Sequence, residues 1–440
     1  MNIKSLYSIY FIIAIAVCIV VFPDGLSAIV LSITISLPLI FVFSKSLDKR
    51  EDLIKLFLVA LILRTIASSA MYYFRLEDFF ALDWRLYDKL GYELANYWSG
   101  ETLASDLLQD KVLSFSGTVW GISLLVGSVY SLVGRNLLAA QLVIATIGAA
   151  IAPVTYLFAF QIYSNRRVAL IAGFIVAFSP SLILWSSLIL KDTPIIFFLV
   201  LTMYAALKLH EKFDYKLVIV LLLALFGVMS LRYYIFYVVA VAVIGGFVIG
   251  QKNTVLSMIG RSAVVILVGV TLGYLGILNN AQSEVTQMTS LEVIQISRND
   301  LANSAASGFG EDYDVSTVEG SIGVLPVGFT YLLLSPLPWQ FTSSLSLMTL
   351  PEMLVWWSML PLLIVGIIYS VRHRLRKCIS VLVFTIMLTL AYSILQGNVG
   401  TAYRQRAQIQ IFLFIFISVG WVIKQERNEN RKTVRLNRRN

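Results

Sequence analysis

Apolar runs of about 18 or more residues recur from one end of this chain to the other, and each is long enough to cross roughly 30 Å of hydrocarbon. No soluble core could absorb so many of them. The recurrence therefore dictates an all-α polytopic membrane protein, because helices satisfy their own backbone hydrogen bonds in lipid. Charge content agrees: 13% of the 440 residues are charged, where a soluble domain carries about 25%. The two cysteines, Cys18 and Cys378, sit in or beside apolar runs, which excludes a disulfide framework or a Cys-based metal site. His210 and His373 stand among basic residues at run ends, which argues against a His-ligated metal and against histidine catalysis.

About twelve spanning helices fit the pattern, at 6–22, 27–44, 54–74, 137–161, 168–187, 194–210, 215–231, 234–250, 262–279, 354–371, 378–395 and 407–423. The first run could be a secretory signal, but a second follows after only Pro23-Asp24-Gly25, so the two read as a hairpin led by a signal anchor. The apolar stretch 119–133 is short and is expected to lie on the outer surface. With that choice most of the 34 Lys and Arg residues fall in cytoplasmic segments, and most of the 25 Asp and Glu outside. The net charge of +9 is then a matter of orientation, not a nucleic-acid footprint. Both termini face the cytoplasm, and the basic tail meets anionic lipid headgroups.

Six segments follow. Residues 1–53 form an N-terminal hairpin and cytoplasmic loop. Residues 54–212 form a transmembrane module holding a large outer loop at 75–136. Three further spans occupy 213–279, a second outer loop 280–353, the last spans 354–423 and a tail 424–440. Loops as long as these two are usually functional.

The chemistry-bearing residues cluster at the outer ends. The first loop opens with Glu77 and Asp78 and continues through Asp83, Trp84, Tyr87 and Asp88. A carboxylate just beyond a membrane helix can act as general base toward a hydroxyl, bind a cation, or simply face water. Asp192 follows Lys191 and precedes Thr193-Pro194, so it stands at a helix N-terminus. That end favours anions, and Lys191 adds a point charge suited to phosphate. The alternative is that Asp192 caps the helix while Lys191 snorkels. Arg404 and Arg406, next to Tyr403, break the positive-inside pattern; they could clamp a phosphate or anchor to headgroups. Arg232, in the turn between two helices, is a weaker candidate for the phosphate. Arg64 lies inside the third helix, either as a functional charge, or paired with an acidic group, or snorkelling inward. There is no P-loop and no Rossmann glycine fingerprint, so a nucleotide-sugar donor is not expected.

At these residues the chain resembles the GT-C superfamily of membrane glycosyltransferases, especially the bacterial protein-mannosyltransferase-like and aminoarabinose-transferase-like group. The segment LILRTIASSAMYY at 61–73 looks like the family's helix before the catalytic loop. LDWRLYDKLGYELANYWSG at 82–100 is similar to the family's Asp, a Tyr four residues on, and a short helix ending in Gly. The stretch 119–212 looks like the next section, from surface helix to a second Asp. By this resemblance Asp83 is the catalytic-loop Asp, Asp192 the second functional Asp, and Tyr87 the recurring Tyr. Trp84 stands where the family often has Glu, and Asp88 can share the role of Asp83. The resemblance is clearest over 55–212. The C-terminal half, with PLPWQ at 336–340 and GNVGTAYRQRAQIQ at 397–410, looks like membrane proteins of bacterial exopolysaccharide clusters.

The resemblance implies a GT-C-like enzyme in a bacterial inner membrane, with its active site on the periplasmic face. It would transfer a sugar from a polyprenyl-phosphate donor to a glycan, lipid or protein acceptor of the cell envelope. Asp83, Asp192 and Asp88 would be catalytic. Lys191, Arg404, Arg406 and Arg232 would hold the donor phosphate, and Tyr87, Trp84 and Tyr403 the substrates. The resemblance names no certain cofactor and leaves a divalent cation open. Two rivals stand beside this: a polysaccharide polymerase or ligase, and a lipid-linked glycan transporter. The latter calls for spans broken near the midplane.

Overall fold

The computed structural model describes residues 2–46, 48–101, 103–115, 119–249, 290–303, 307–310 and 312–437. The expected span at 262–279 lies outside them. The described residues are almost wholly helical, and no strand forms among them beyond one bridge between Gly308 and Asn398. Among the described residues, seven helices are long and apolar enough to cross a membrane, or eight if one bent pair counts as a single span. The chain is a multi-pass, all-α membrane protein. It divides into two units, residues 1–204 with 224–233 and residues 205–223 with 234–440.

The first unit starts with α1 (Ile3–Val20), α2 (Asp24–Ser44) and α3 (Arg50–Phe74). Asn2 opens α1 by accepting from the Ser5 amide at 2.7 Å. Arg75 closes α3 in the left-handed conformation, turning the chain into the short helix α4 (Glu77–Phe80) and then α5 (Trp84–Ser99). Gly100, at φ 77°, ends α5 as a residue without Cβ can. A short helical turn follows at 106–113, then α7 (Trp120–Val133), so that turn is counted as α6. Fourteen residues of α7 rise only about 21 Å, too little to cross the hydrocarbon. That agrees with the expectation that 119–133 does not span. Helices α5 and α7 approach closely at Gly91, where a Cβ would stand 2.5 Å from Val126 Cγ1.

Helix α8 (Leu137–Tyr163), capped by Asn136 on the Ala139 amide, is buried along nearly its whole length and packs on α3. The expected span at 168–187 is broken. It consists of α9 (Arg166–Phe178) and α10 (Pro180–Ser186), bent by 54° at Ser179. Pro180 cannot supply the amide that would continue α9. Arg64, fully buried, donates to the carbonyls of Val176 and Ala177 at 3.3 Å each, groups that the break releases. Gly148 of α8 lies beneath this point. A Cβ there would meet Ser186 Cβ at 2.8 Å, Thr193 Cγ2 at 3.0 Å and Arg64 Nε at 3.1 Å. Helix α11 (Asp192–Glu211) and α12 (Tyr215–Leu231) complete the first unit with their 192–204 and 224–231 portions.

The second unit holds α13 (Tyr233–Ile249), α14 (Leu291–Asn303), α15 (Val318–Leu334), α16 (Ser344–Leu395), which bends at Arg374, and α17 (Val399–Asn437). The two expected spans at 354–371 and 378–395 are the two arms of α16. The segment 280–353, expected as a loop, carries α14 and α15 among its described residues. Thr317 starts α15 by accepting from the Gly320 amide at 3.1 Å. Helix α15 contains Pro326 and three glycines, residues that disfavour helix interiors, and keeps them. Gly328 is needed there, because a Cβ would collide with the Ser393 carbonyl of α16.

Two more buried arginines finish helix ends in this unit. Arg298 donates to the carbonyls of Ile394 and Gln396 at the end of α16, at 2.9 and 2.6 Å. Arg406 donates to those of Leu333 and Ser335 at the end of α15, at 3.2 and 2.7 Å. A guanidinium supplies several donors to carbonyls that a helix C-terminus leaves unpaired, and its charge complements that end of the dipole.

Candidate functional site

The chemistry of the first unit gathers where α3 turns into α4 and α5. A half-open cavity of about 470 Å³ lies there, lined by Tyr72, Tyr73, Arg75, Glu77, Asp78, Trp84, Arg85 and Leu137. Its polar groups are tied to one another. Arg85 grips Asp78 with two donors, Nε at 2.8 Å and Nη2 at 2.5 Å, and the Trp84 indole donates to the same carboxylate at 3.0 Å. The Arg85 hydrogen bonds, with the Trp84 donor and the guanidinium charge, hold the Asp78 carboxyl below the usual carboxylate range. Glu77 is buried and accepts from Gln141 Nε2 of α8 at 2.9 Å. Tyr72 donates to Asp24 Oδ2 at 2.6 Å. Of these lining residues the sequence reading assigned a role to Trp84 alone. The Asp78–Arg85 pair was hidden because its members stand seven residues apart across the α4–α5 turn.

Asp83 is the residue before α5 and is exposed, immediately next to the cavity-lining Trp84. Tyr87 and Asp88, one turn on, are buried. Asp88 accepts from the Tyr130 hydroxyl at 2.6 Å and from Arg135 at 2.5 Å, which ties α5 to α7 and to the turn between α7 and α8. The Asp88 hydrogen bond raises the Arg135 pKa. This cross-brace is a packing job, and it leaves Asp83 as the exposed carboxylate of the pair.

Asp192 begins α11, as its Lys191-Asp-Thr-Pro setting predicts, and is fully buried. Arg232, between α12 and α13, donates to Asp192 Oδ1 at 3.0 Å, and both side chains are almost inaccessible, at 4% and 0% exposure. The structure thus joins two residues that the sequence reading placed in different roles. Lys191, half-buried, precedes them.

In the second unit Tyr403 is buried and donates to Glu352 Oε2 at 2.7 Å. Arg404 and Arg406 lie on α17. On a helix, positions i and i+2 point about 200° apart, so the two do not form a two-sided clamp. Arg406 is fully buried, with its donors on the backbone of 333–335 and its guanidinium 4.8 Å from the Tyr403 ring. Arg404 is half-buried. Among the described residues no group of three or more His, Cys, Asp or Glu gathers to hold a metal ion.

Residues 97–278 match the model of a family described as dolichyl-phosphate-mannose-protein mannosyltransferase. Over these residues, less than half of the chain, the sequence is similar to that family, a GT-C family of glycosyltransferases. Lys191, Asp192 and Arg232 fall within the matched residues. Asp83, Trp84, Tyr87 and Asp88 precede them, and Tyr403, Arg404 and Arg406 follow. No curated protein matches the chain.

Proposed function

We propose that this membrane glycosyltransferase of the GT-C type moves a sugar from a polyprenyl-phosphate donor to an acceptor hydroxyl on the outer face of a bacterial inner membrane. The family match carries this reading, since the described family is named for a polyprenyl-phosphate sugar donor and holds Asp192 and Lys191 within its bounds. A donor whose lipid tail stays in the bilayer suits a multi-pass membrane protein.

In the reaction the acceptor hydroxyl gives its proton to the Asp83 carboxylate as its oxygen bonds to the anomeric carbon. The bond from that carbon to the phosphate oxygen breaks, and polyprenyl phosphate departs with the electron pair. Lys191 stabilises the charge that collects on the leaving phosphate, an electrostatic contribution of the kind that dominates many enzymes. The buried Asp192–Arg232 pair fixes the head of α11 and so the position of Lys191. Asp88, Arg406 and Tyr403 serve packing.

The broken span α9–α10 is the feature a transporter would call for. Its released carbonyls are closed by Arg64, however, and do not line an open path. The test is turnover in liposomes with polyprenyl-phosphate hexoses, following donor loss and release of lipid phosphate. Asp83→Asn is expected to abolish donor consumption while the melting temperature stays unchanged. Full activity of that variant refutes the assignment. Consumption of a pyrophosphate-linked oligosaccharide in place of the monosaccharide donor would move the reading to a polymerase or ligase.

A further inference from the structure

The cavity beside α5 has a lining that selects for a particular ligand chemistry. Its formal charges cancel: Arg75 and Arg85 are matched by Glu77 and Asp78. A site for phosphate needs a surplus of cations, and this lining has none. An apolar chain would strip water from four charged groups at large cost. What remains is a neutral ligand rich in hydroxyls. Three aromatic residues, Tyr72, Tyr73 and Trp84, offer faces for the C–H side of a sugar ring. Two of them are held in place, Trp84 by its bond to Asp78 and Tyr72 by its bond to Asp24. The Asp78–Arg85 fork presents donors and acceptors side by side in a fixed plane, suited to adjacent hydroxyls. The volume, about 470 Å³, is within the range of small-molecule sites, roughly 300–1,000 Å³.

We infer that this cavity is the acceptor subsite and that the acceptor is a neutral saccharide, held by Trp84 and Tyr73 against its ring and by Asp78–Arg85 and Glu77 at its hydroxyls. The inference rests on the glycosyltransferase reading. Asp83 directly precedes Trp84, with adjacent Cα atoms about 3.8 Å apart. The carboxylate proposed to take the acceptor's proton thus belongs to the residue next in sequence to the cavity wall.

The experiment uses the full-length protein in liposomes with a polyprenyl-phosphate hexose and three acceptors: a neutral oligosaccharide, a sugar phosphate and a serine-containing peptide. Equilibrium dialysis of the labelled neutral oligosaccharide, without donor, runs alongside. Transfer to the neutral oligosaccharide is expected. Tyr73→Ala and Trp84→Ala should each raise its KM by roughly three- to tenfold, the loss of one ring contact, while the donor KM is unchanged. The same variants should weaken dialysis binding by the same factor. Transfer to the peptide or the sugar phosphate in preference to the neutral sugar overturns the inference and leaves the glycosyltransferase reading standing. If no donor is consumed, that reading fails and dialysis decides: absence of saccharide binding, or binding indifferent to both substitutions, overturns the acceptor subsite too.

Discussion

The Asp192–Arg232 pair is the most exacting place to test the reasoning. Two opposite charges 3.0 Å apart, 4% and 0% exposed, attract strongly. With an effective dielectric of about 20 the gross attraction is roughly 5.5 kcal/mol. Most of that is offset by the cost of burying the two charges, so the pair itself contributes much less. Removing one partner is different, because the remaining charge stays buried without its counterpart. Arg232→Met and Asp192→Asn are each expected to lower stability, Arg232→Met by about 3–5 kcal/mol. The double variant should lose less than the sum of the singles, with a coupling of at least about 1 kcal/mol. Melting in detergent measures the cycle, and donor turnover on the same samples separates fold from function. If the singles add to the double within about 0.5 kcal/mol, the two charges do not act as a pair and the argument for Lys191's placement falls. If the double variant recovers stability but not turnover, the carboxylate has a part beyond holding α11.

Two further outcomes follow from the geometry. Asp78 has a pKa lowered by Arg85, so its contribution to the fold is complete above the unfolded carboxylate value of about 4 and is lost as pH falls through the lower folded value; Trp84-dependent fluorescence should change only below about pH 4, and Asp78→Asn should abolish that transition. Glycines 366 and 420 let α16 and α17 touch, since a Cβ on Gly366 would run into the Phe416 carbonyl and one on Gly420 into that of Leu362; Gly366→Ala and Gly420→Ala should each cost about 1–3 kcal/mol or more, read as a lower melting temperature, whereas Gly245→Ala, which meets nothing, should not.

Much of the fold was legible because lipid imposes length and apolarity directly on the sequence. The shortness of α7 is visible in the sequence, and its fourteen residues are too few to cross the hydrocarbon. Helix α15 was not legible: Pro326 and its glycines carry the marks of a loop, and only the Ser393 backbone against Gly328 shows why a glycine belongs in that helix. At the site, the head of α11 followed from Lys-Asp-Thr-Pro, but its partner Arg232 lies 40 residues away. Arg406 stood out as a charge on the wrong side of the pattern. Its carbonyl partners, Leu333 and Ser335, more than 70 residues earlier, are set by tertiary packing that no local spacing encodes. The cavity was hidden for the same reason, since it needs the turn at Arg75 to fold α5 back beside α3.

The Arg64 contact also sets a schedule for biogenesis. Its acceptors at Val176 and Ala177 are 112 and 113 residues downstream. At about 5–20 residues per second, roughly 6–23 seconds separate the synthesis of the charge from that of the carbonyls that receive it. During that interval α3 carries an intramembrane cation that lipid does not accommodate. Its hydrogen bonding is complete only once α9 and the helix break have been made.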